Sequence, residues 1–180
     1  WKYRDEIDYM PQIANFPSNL KVKEIISMLK DIRNREARDE ELIEYFELTP
    51  YLNKQLSYLS GGTKQKVNIV LSFMFDSPII ILDEPTTGLD PQARRNLWDL
   101  ILSLRSTGTT IVLTTHYMDE AEVLCDRVAI VDAGVISKID TPSNLIDQLL
   151  ATGFQKPLPV KQASLEDVFI NLTGKALRDE

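Results

Sequence analysis

Residues 78–83, Pro-Ile-Ile-Ile-Leu-Asp, constrain this chain more than any other stretch. Four consecutive apolar residues, three of them β-branched, ask for a strand buried on both faces, as in a parallel sheet covered by helices. The run ends on two adjacent acids, Asp83 and Glu84, followed by Pro85. Thr109 to Thr114 gives a second buried strand, which delivers His116. Between the two, Asp90-Pro91 opens a helix with a capping acid and a proline in the first position. Leu97, Leu100, Ile101 and Leu104 share one face of that helix, which ends near Gly108. Strand, helix and strand in this order predict an α/β chain with a parallel sheet flanked by helices.

The first part of the chain is mostly helical. IDYMPQ, residues 7–12, reads as a short strand ending at Pro11. Leu20 to Arg33 places Val22, Ile25, Ile26 and Leu29 at helical spacing. Glu36 to Leu48 reads as a second, charged helix, and Pro50 marks a turn. Ser60 is a candidate cap for a helix through Phe75, with Val67, Val70, Leu71 and Met74 on one face. Residues 19–76 therefore look inserted between two strands of one sheet. After His116 come a short helix over 117–125 and strands at Arg127–Asp132 and Val135–Ile139 around Gly134. Thr141-Pro142 starts another helix, residues 151–163 form an irregular connector, and Ser164-x-x-Asp167 resembles a capping box for the last helix.

Composition excludes several functions. No apolar run approaches the roughly 20 residues that span a bilayer, so a membrane role is indirect. The opening WKYRDEIDYM has no apolar core of a signal peptide. Cys125 is the only cysteine and can form no internal disulfide, which suits a reducing cytoplasm. The net charge of -7 argues against nucleic-acid binding, and the basic pairs Lys64/Lys66 and Arg94/Arg95 are small.

The chemistry-bearing residues gather at predicted strand and helix ends. Ligands in parallel α/β sheets bind beyond the carboxyl ends of strands, where Asp83 and Glu84 stand. One carboxylate there suits Mg²⁺, a hard ion that keeps several waters. The second suits a general base in phosphoryl transfer. Pro85 should keep Glu84 extended. The bland alternative is two caps or surface charges after a strand. Ser60-Gly61-Gly62 begins a helix whose free N–H groups attract anions, a phosphate above all, although an ordinary helix start has the same residues. His116, the only histidine, could reach a transferring phosphoryl group or merely bond within its loop. Gln12 could offer its carbonyl to a metal or an attacking water. Asp90 caps the following helix and could serve a second purpose.

Taken together and in order, YMPQ, LSGG, IIILDEPTTGLDP and TTH resemble the nucleotide-binding domain of ATP-binding-cassette (ABC) transporters. Ser60 precedes Asp83 by 23 positions and His116 follows it by 33, a spacing that fits the family. THYMDEAEVLCDRVAIVDAGVI and SLEDVFINLTG also resemble its later segments, so the likeness covers essentially the whole chain. The ending resembles exporter-type subunits, including drug exporters. MPQIANFPSNLKVKEIISMLKDIR is similar to ATPases linked to copper supply for nitrous-oxide reductase maturation. The resemblance implies a P-loop NTPase (RecA-like) sheet with the family's helical subdomain inserted. The partition would be a Q-loop strand and loop at 1–18, the helical subdomain with signature at 19–76, core α/β at 77–150 and a C-terminal extension at 151–180.

By the same resemblance Gln12 is the Q-loop glutamine, able to act on water or on the metal. Ser60, Gly61 and Gly62 lie in the signature. Asp83 is the Walker B aspartate on Mg²⁺, Glu84 the catalytic base, Asp90 a D-loop residue at the nucleotide interface, and His116 the switch histidine. ATP and Mg²⁺ are the implied ligands. A second ATPase subunit, paired head to tail, and a transmembrane permease subunit are the implied partners, the latter holding the protein at the cytoplasmic face. The chain departs from the pattern at Thr63, where Gln or Glu is usual, and at Lys66, where arginine is common. Lys21 stands where a hydroxyl cap is usual.

No G-x-x-x-x-G-K-[ST] occurs: only Gly174 precedes a lysine, and Phe169 and Ala176 break the pattern around it. In the family that loop lies upstream of the Q-loop. The expectation is an incomplete, P-loop-less fragment, inactive alone, in which a missing strand leaves the edges of the His116 strand and of Arg127–Asp132 to close on each other or to pair between chains. A non-transport ABC-type protein or a catalytically dead interaction module are the alternatives.

Overall fold

A computed structural model describes residues 6–155. The expected cap at Ser164 and the SLEDVFINLTG segment lie outside the described residues. By their contacts the described residues divide between Pro142 and Ser143 into two compact units. In the second, α6 spans Pro142–Ala151 and starts on the proposed proline.

The first unit is built on a three-stranded parallel sheet. β1 (Ile7–Met10), β2 (Ile79–Asp83) and β3 (Thr110–Thr114) lie side by side in that order. Met10 is opposite Leu82 and Asp83 opposite Thr114, so the carboxyl ends of all three strands open at one end of the sheet. Three helices lie between β1 and β2 in sequence: α1 (Val22–Arg33), α2 (Asp39–Tyr45) and α3 (Gly61–Phe73). α4 (Pro91–Ser106) connects β2 to β3, as a parallel pair requires. Met10, Ile25, Leu42, Phe46, Ile69, Phe73, Ile80 and Leu97 are fully buried in one apolar cluster. Each such side chain contributes about 1.5–3 kcal/mol relative to exposure.

α3 is not the one-faced helix that its spacing suggested. Gln65, Val67, Asn68, Ile69, Val70, Leu71, Ser72 and Phe73 are all buried, because β1, α1 and α2 all pack against the helix. Its polar residues are satisfied inside: Asn68 Nδ2 donates to the Pro11 carbonyl at 2.9 Å, and Ser72 Oγ to the Asn68 carbonyl at 2.8 Å. Buried polar atoms without such partners would be costly.

α2 is shorter than the predicted 36–48. It stops at Phe46 because Glu47 turns left-handed at φ 58°. The Leu48 N–H then bonds to the Ile43 carbonyl (2.8 Å) and the Glu47 N–H to the Glu44 carbonyl (3.0 Å), the paired closure of a Schellman turn. Buried Leu48 and Ile43 supply its apolar contact. Glutamate fills the position that glycine usually takes, so the sequence carried no stop signal there. α1 opens as the sequence warned: Lys21 has no side-chain acceptor, and only half a capping box forms, from the Lys21 N–H to the Glu24 carboxylate at 2.9 Å.

Two expectations for the later strands fail. β3 is not fully buried: Val112 is 50% exposed, because β3 pairs with β2 alone and forms an edge of the described sheet. The strand at Arg127–Asp132 does not join the parallel sheet. β4 (Val128–Asp132) pairs antiparallel with β5 (Val135–Asp140) around a tight turn in which Ala133 and Gly134 both have positive φ, 47° and 76°. Among the described residues β3 and β4 do not pair with each other.

Candidate active site

β2 and β3 set the site by their register. Asp83, the last residue of β2, lies opposite Thr114, and the Thr114 hydroxyl donates to Asp83 Oδ1 at 2.5 Å. One carboxylate oxygen is thereby oriented while the other takes no hydrogen bond from the described residues. The pairing continues one step further, through the Glu84 N–H to the Thr114 carbonyl at 3.0 Å.

Glu84 then departs from the extended backbone that Pro85 should impose. Its φ is 48°, in the left-handed region. A turn causes this: the Thr87 N–H bonds back to the Glu84 carbonyl at 3.2 Å, so the chain reverses as β2 ends. A left-handed non-glycine residue costs free energy and persists only where its surroundings hold it. Here the strain lies at a carboxylate whose Oε2 is 2.6 Å from His116 Nδ1. That oxygen is buried, and although Nδ1 stands close to it no hydrogen bond of good geometry reaches it. A hydrogen on Nδ1 makes this approach attractive, whereas an imidazole with its only hydrogen on Nε2 would leave two acceptors facing each other. The approach therefore favours a hydrogen on Nδ1. The Glu84 side chain is 18% exposed and that of His116 61%, so the pair joins a sheltered acid to an open ring.

The His116 ring lies against Tyr117, with centroids 4.1 Å apart and planes tilted by 36°. The Arg94 guanidinium carbon stands 5.1 Å from the Tyr117 ring centroid. Tyr117 caps the short α5 (Met118–Leu124), and its N–H donates to Thr115 Oγ1 at 3.0 Å.

The loop after β2 is fastened to the start of α3 at three points. Gln65 Nε2 donates to the Pro85 carbonyl at 3.0 Å. A β-carbon on Gly62 would stand 3.0 Å from the Gly88 carbonyl oxygen. Lys66 Nζ lies 3.7 Å from Asp90 Oδ2. Asp90 also caps α4 through the Ala93 N–H at 2.8 Å. That N–H above all, with lesser help from the Lys66 ammonium and the Gln92 N–H, holds the Asp90 carboxyl below the ordinary carboxylate range, against an opposing push from burial that ranks next after the Ala93 N–H.

Ser60 caps α3 in the predicted way, accepting from the Thr63 N–H at 3.2 Å. Thr63, the departure from the family pattern, bonds its own hydroxyl to Ser60 Oγ at 2.8 Å. Gly61 is exposed, with its N-terminal turn open. Gln12 is exposed and shares a cavity of about 360 Å³ with Gly61, Asn68, Thr87 and Gly88. The structure thus brings Glu84 onto His116, Gly62 onto the loop before Asp90, and Gln12 beside Gly61. No hydrogen bond joins the Gln12 side chain to Asp83 or Glu84. Sequence reasoning missed Thr114, Gln65, Arg94 and Tyr117. The signal for Thr114 was its place two residues before His116, which becomes informative only once the register with Asp83 is known.

No group of three or more His, Cys, Asp or Glu side chains converges among the described residues to hold a metal. A single carboxylate with one open oxygen fits Mg²⁺, which is held by one or two carboxylates, water and phosphate oxygens.

Residues 9–118 match the family model described as "AAA domain, putative AbiEii toxin, Type IV TA system". The chain is 37% identical over 152 residues to the Nod factor export ATP-binding protein I of Rhizobium etli, covering 82% of this chain and 48% of that protein. It therefore spans about half the length of that relative. Among solved structures, the ATP binding subunit of an ABC transporter superposes with a TM-score of 0.75 at 28% identity, over 96% of this chain and 70% of the other. A dimeric ATP-binding cassette in a post-hydrolysis state, bound to ADP and Pi, superposes with a TM-score of 0.68 at 25% identity, over 78% and 64%. These likenesses reach across the parallel sheet, the inserted helices and the ordered motifs, and on them the chain belongs to the ATP-binding-cassette family of transporter ATP-binding domains, with the P-loop NTPase fold.

Proposed function

We propose that the chain carries the ATP-hydrolysing half-site of an export-type transporter subunit, and that Glu84 is its general base. The observation behind this reading is the 2.6 Å contact between Glu84 and His116, beside Asp83, at the carboxyl end of β2. Glu84 Oε1 is free to take the proton of an attacking water while His116 Nδ1–H holds Oε2. Holding one oxygen aims the other. Asp83 offers its second oxygen to Mg²⁺, and Thr114 prevents that carboxylate from turning away. The metal, when bound, neutralises developing charge on the phosphate oxygens. Gln12 stands at the mouth of the cavity by α3, where its carbonyl can meet water or metal.

Ser60, Gly61 and Gly62 present the open first turn of α3, whose N–H groups suit the terminal phosphate of a nucleotide held by a second cassette. Asp90, on the loop fastened to that turn, lies in the same interface. These 180 residues contain no G-x-x-x-x-G-K-[ST] to cradle the phosphates, so the chain alone should bind ATP weakly and turn over little. Residues 19–76 form the helical subdomain that meets the permease, which places the protein at the cytoplasmic face. No helix among the described residues is long and apolar enough to cross a membrane.

The deciding experiment uses the full-length ATPase and its Glu84→Gln variant. Hydrolysis should fall by about 10²–10⁴-fold, with ATP binding retained and ATP-bound dimers accumulating. Turnover like that of the unmodified protein would remove Glu84 from the role.

A further inference from the structure

We propose that Arg94 is a positioning residue that acts through Tyr117 to hold His116 Nδ1 against Glu84. The inference rests on the reading of Glu84 and His116 given above, and it concerns residues outside the motifs.

The observations form a chain of neighbouring contacts. His116 is largely exposed, so little besides the Glu84 contact and its neighbours limits rotation of the ring. Tyr117 covers one side of it at 4.1 Å. The Arg94 guanidinium carbon lies over the Tyr117 ring, 5.1 Å from its centroid, within the range of a cation–π contact. Arg94 Nε is buried with no hydrogen-bond partner. With that N–H unpaired, the Tyr117 ring is the contact of the guanidinium on which the proposal rests. Its backbone is fixed as well. Arg94 lies in the first turn of α4, where its N–H bonds to the Asp90 carbonyl at 3.0 Å and the Asp90 carboxylate caps the turn. The chain of contacts therefore runs from a capped helix start through two rings to the carboxylate. Removing its outer end frees Tyr117, and with it the His116 ring, without touching Glu84 or Asp83.

The test uses the fact that His116 is the only histidine in the chain. Imidazole ¹⁵N shifts of the uniformly labelled chain, taken well above the ordinary imidazole pKa, report which nitrogen carries the hydrogen. The unmodified chain should show Nδ1–H, and Glu84→Ala should show the released ring. Arg94→Ala and Tyr117→Ala should raise the Nε2–H population by about two- to fivefold, the scale of an exposed cation–π contact. Tyr117→Phe keeps the ring and should match the unmodified chain. A general packing defect would alter the amide spectrum broadly without tracking this order. If Arg94→Ala fails to fold, Arg94→Met takes its place in the comparison. A His116 signature unchanged in Arg94→Ala, or one in the unmodified chain already equal to that of Glu84→Ala, overturns the proposal. No nucleotide enters the measurement, so this result and the hydrolysis test fail independently.

Discussion

Gly62 approaches the Gly88 carbonyl so closely that a β-carbon would stand 3.0 Å from it, while the neighbouring Gly61 has nothing within 4 Å. Both glycines belong to the same motif, yet only one is demanded by packing within the chain. Alanine at Gly61 meets open space and should leave stability unchanged or slightly raised, since alanine favours a helix over glycine. Alanine at Gly62 pushes backbone against backbone, and overpacking costs about 1–3 kcal/mol. Urea midpoints should place Gly62→Ala below Gly61→Ala, with the amides of residues 85–90 shifted in the former alone. Equal midpoints would show that the loop yields freely.

Thr114→Val keeps the branched side chain and deletes the hydroxyl on Asp83. Stability should fall by about 1 kcal/mol, a modest figure because Thr114 is exposed. If Asp83 holds the metal, the Mg²⁺ concentration for half-maximal hydrolysis by the full-length protein should rise several-fold. Thr114→Ser should restore both. An unchanged Mg²⁺ dependence in Thr114→Val would separate the hydroxyl from metal binding.

The two imperfect helix ends predict gains. Lys21→Ser completes the capping box with Glu24 and should add about 1 kcal/mol. Glu47→Gly relieves the left-handed residue that ends α2 and should also add about 1 kcal/mol. Chemical denaturation measures both, and a loss at Glu47→Gly would mean that glutamate makes a compensating contact.

Asp90 gives a pH dependence of known sign. Its folded pKa lies below the ordinary 3.8, first through the Ala93 N–H and then through Lys66. A lowered carboxylate contributes stability that is present above about pH 4 and lost as pH falls through the folded value. Asp90→Asn retains a capping side chain but cannot titrate. It should lack that share of the acid-induced loss and stay near the unmodified chain at pH 7. Asp90→Ala should lose about 1 kcal/mol at pH 7. Identical acid unfolding of Asp90→Asn and the unmodified chain would remove Asp90 from the linkage.

Local chemistry was legible in the sequence, and pairing across the sheet was not. The caps at Ser60 and Asp90 depend on side chains and backbone three residues apart, so the sequence displays both partners. The strand ending at Asp83 announces itself by composition. Thr114 could not be assigned to Asp83, because 31 residues and a parallel register separate them. The stop at Glu47 was hidden because a Schellman turn was built without glycine. Glu84 defied the rule for residues before proline because its turn is fixed by Thr87 and Thr114. The resemblance named Glu84 and His116 in separate roles, and their contact was not foreseen. Nor were the contacts on Tyr117, since nothing in the spacing of Arg94 and Tyr117 links two helix starts.

Two of the buried polar residues of α3 reach different loops. Gln65 grips the Pro85 carbonyl and Asn68 the Pro11 carbonyl, three positions apart on one helix. Pro85 follows Glu84 and Pro11 precedes Gln12, so each grip falls next to a candidate site residue. A rigid helix cannot turn under one of these grips and stay still under the other. Rotation of α3 must carry both loops together or break one of the bonds. The helix that begins at Ser60-Gly61-Gly62 is thus tied by two side chains to the loops that carry Glu84 and Gln12.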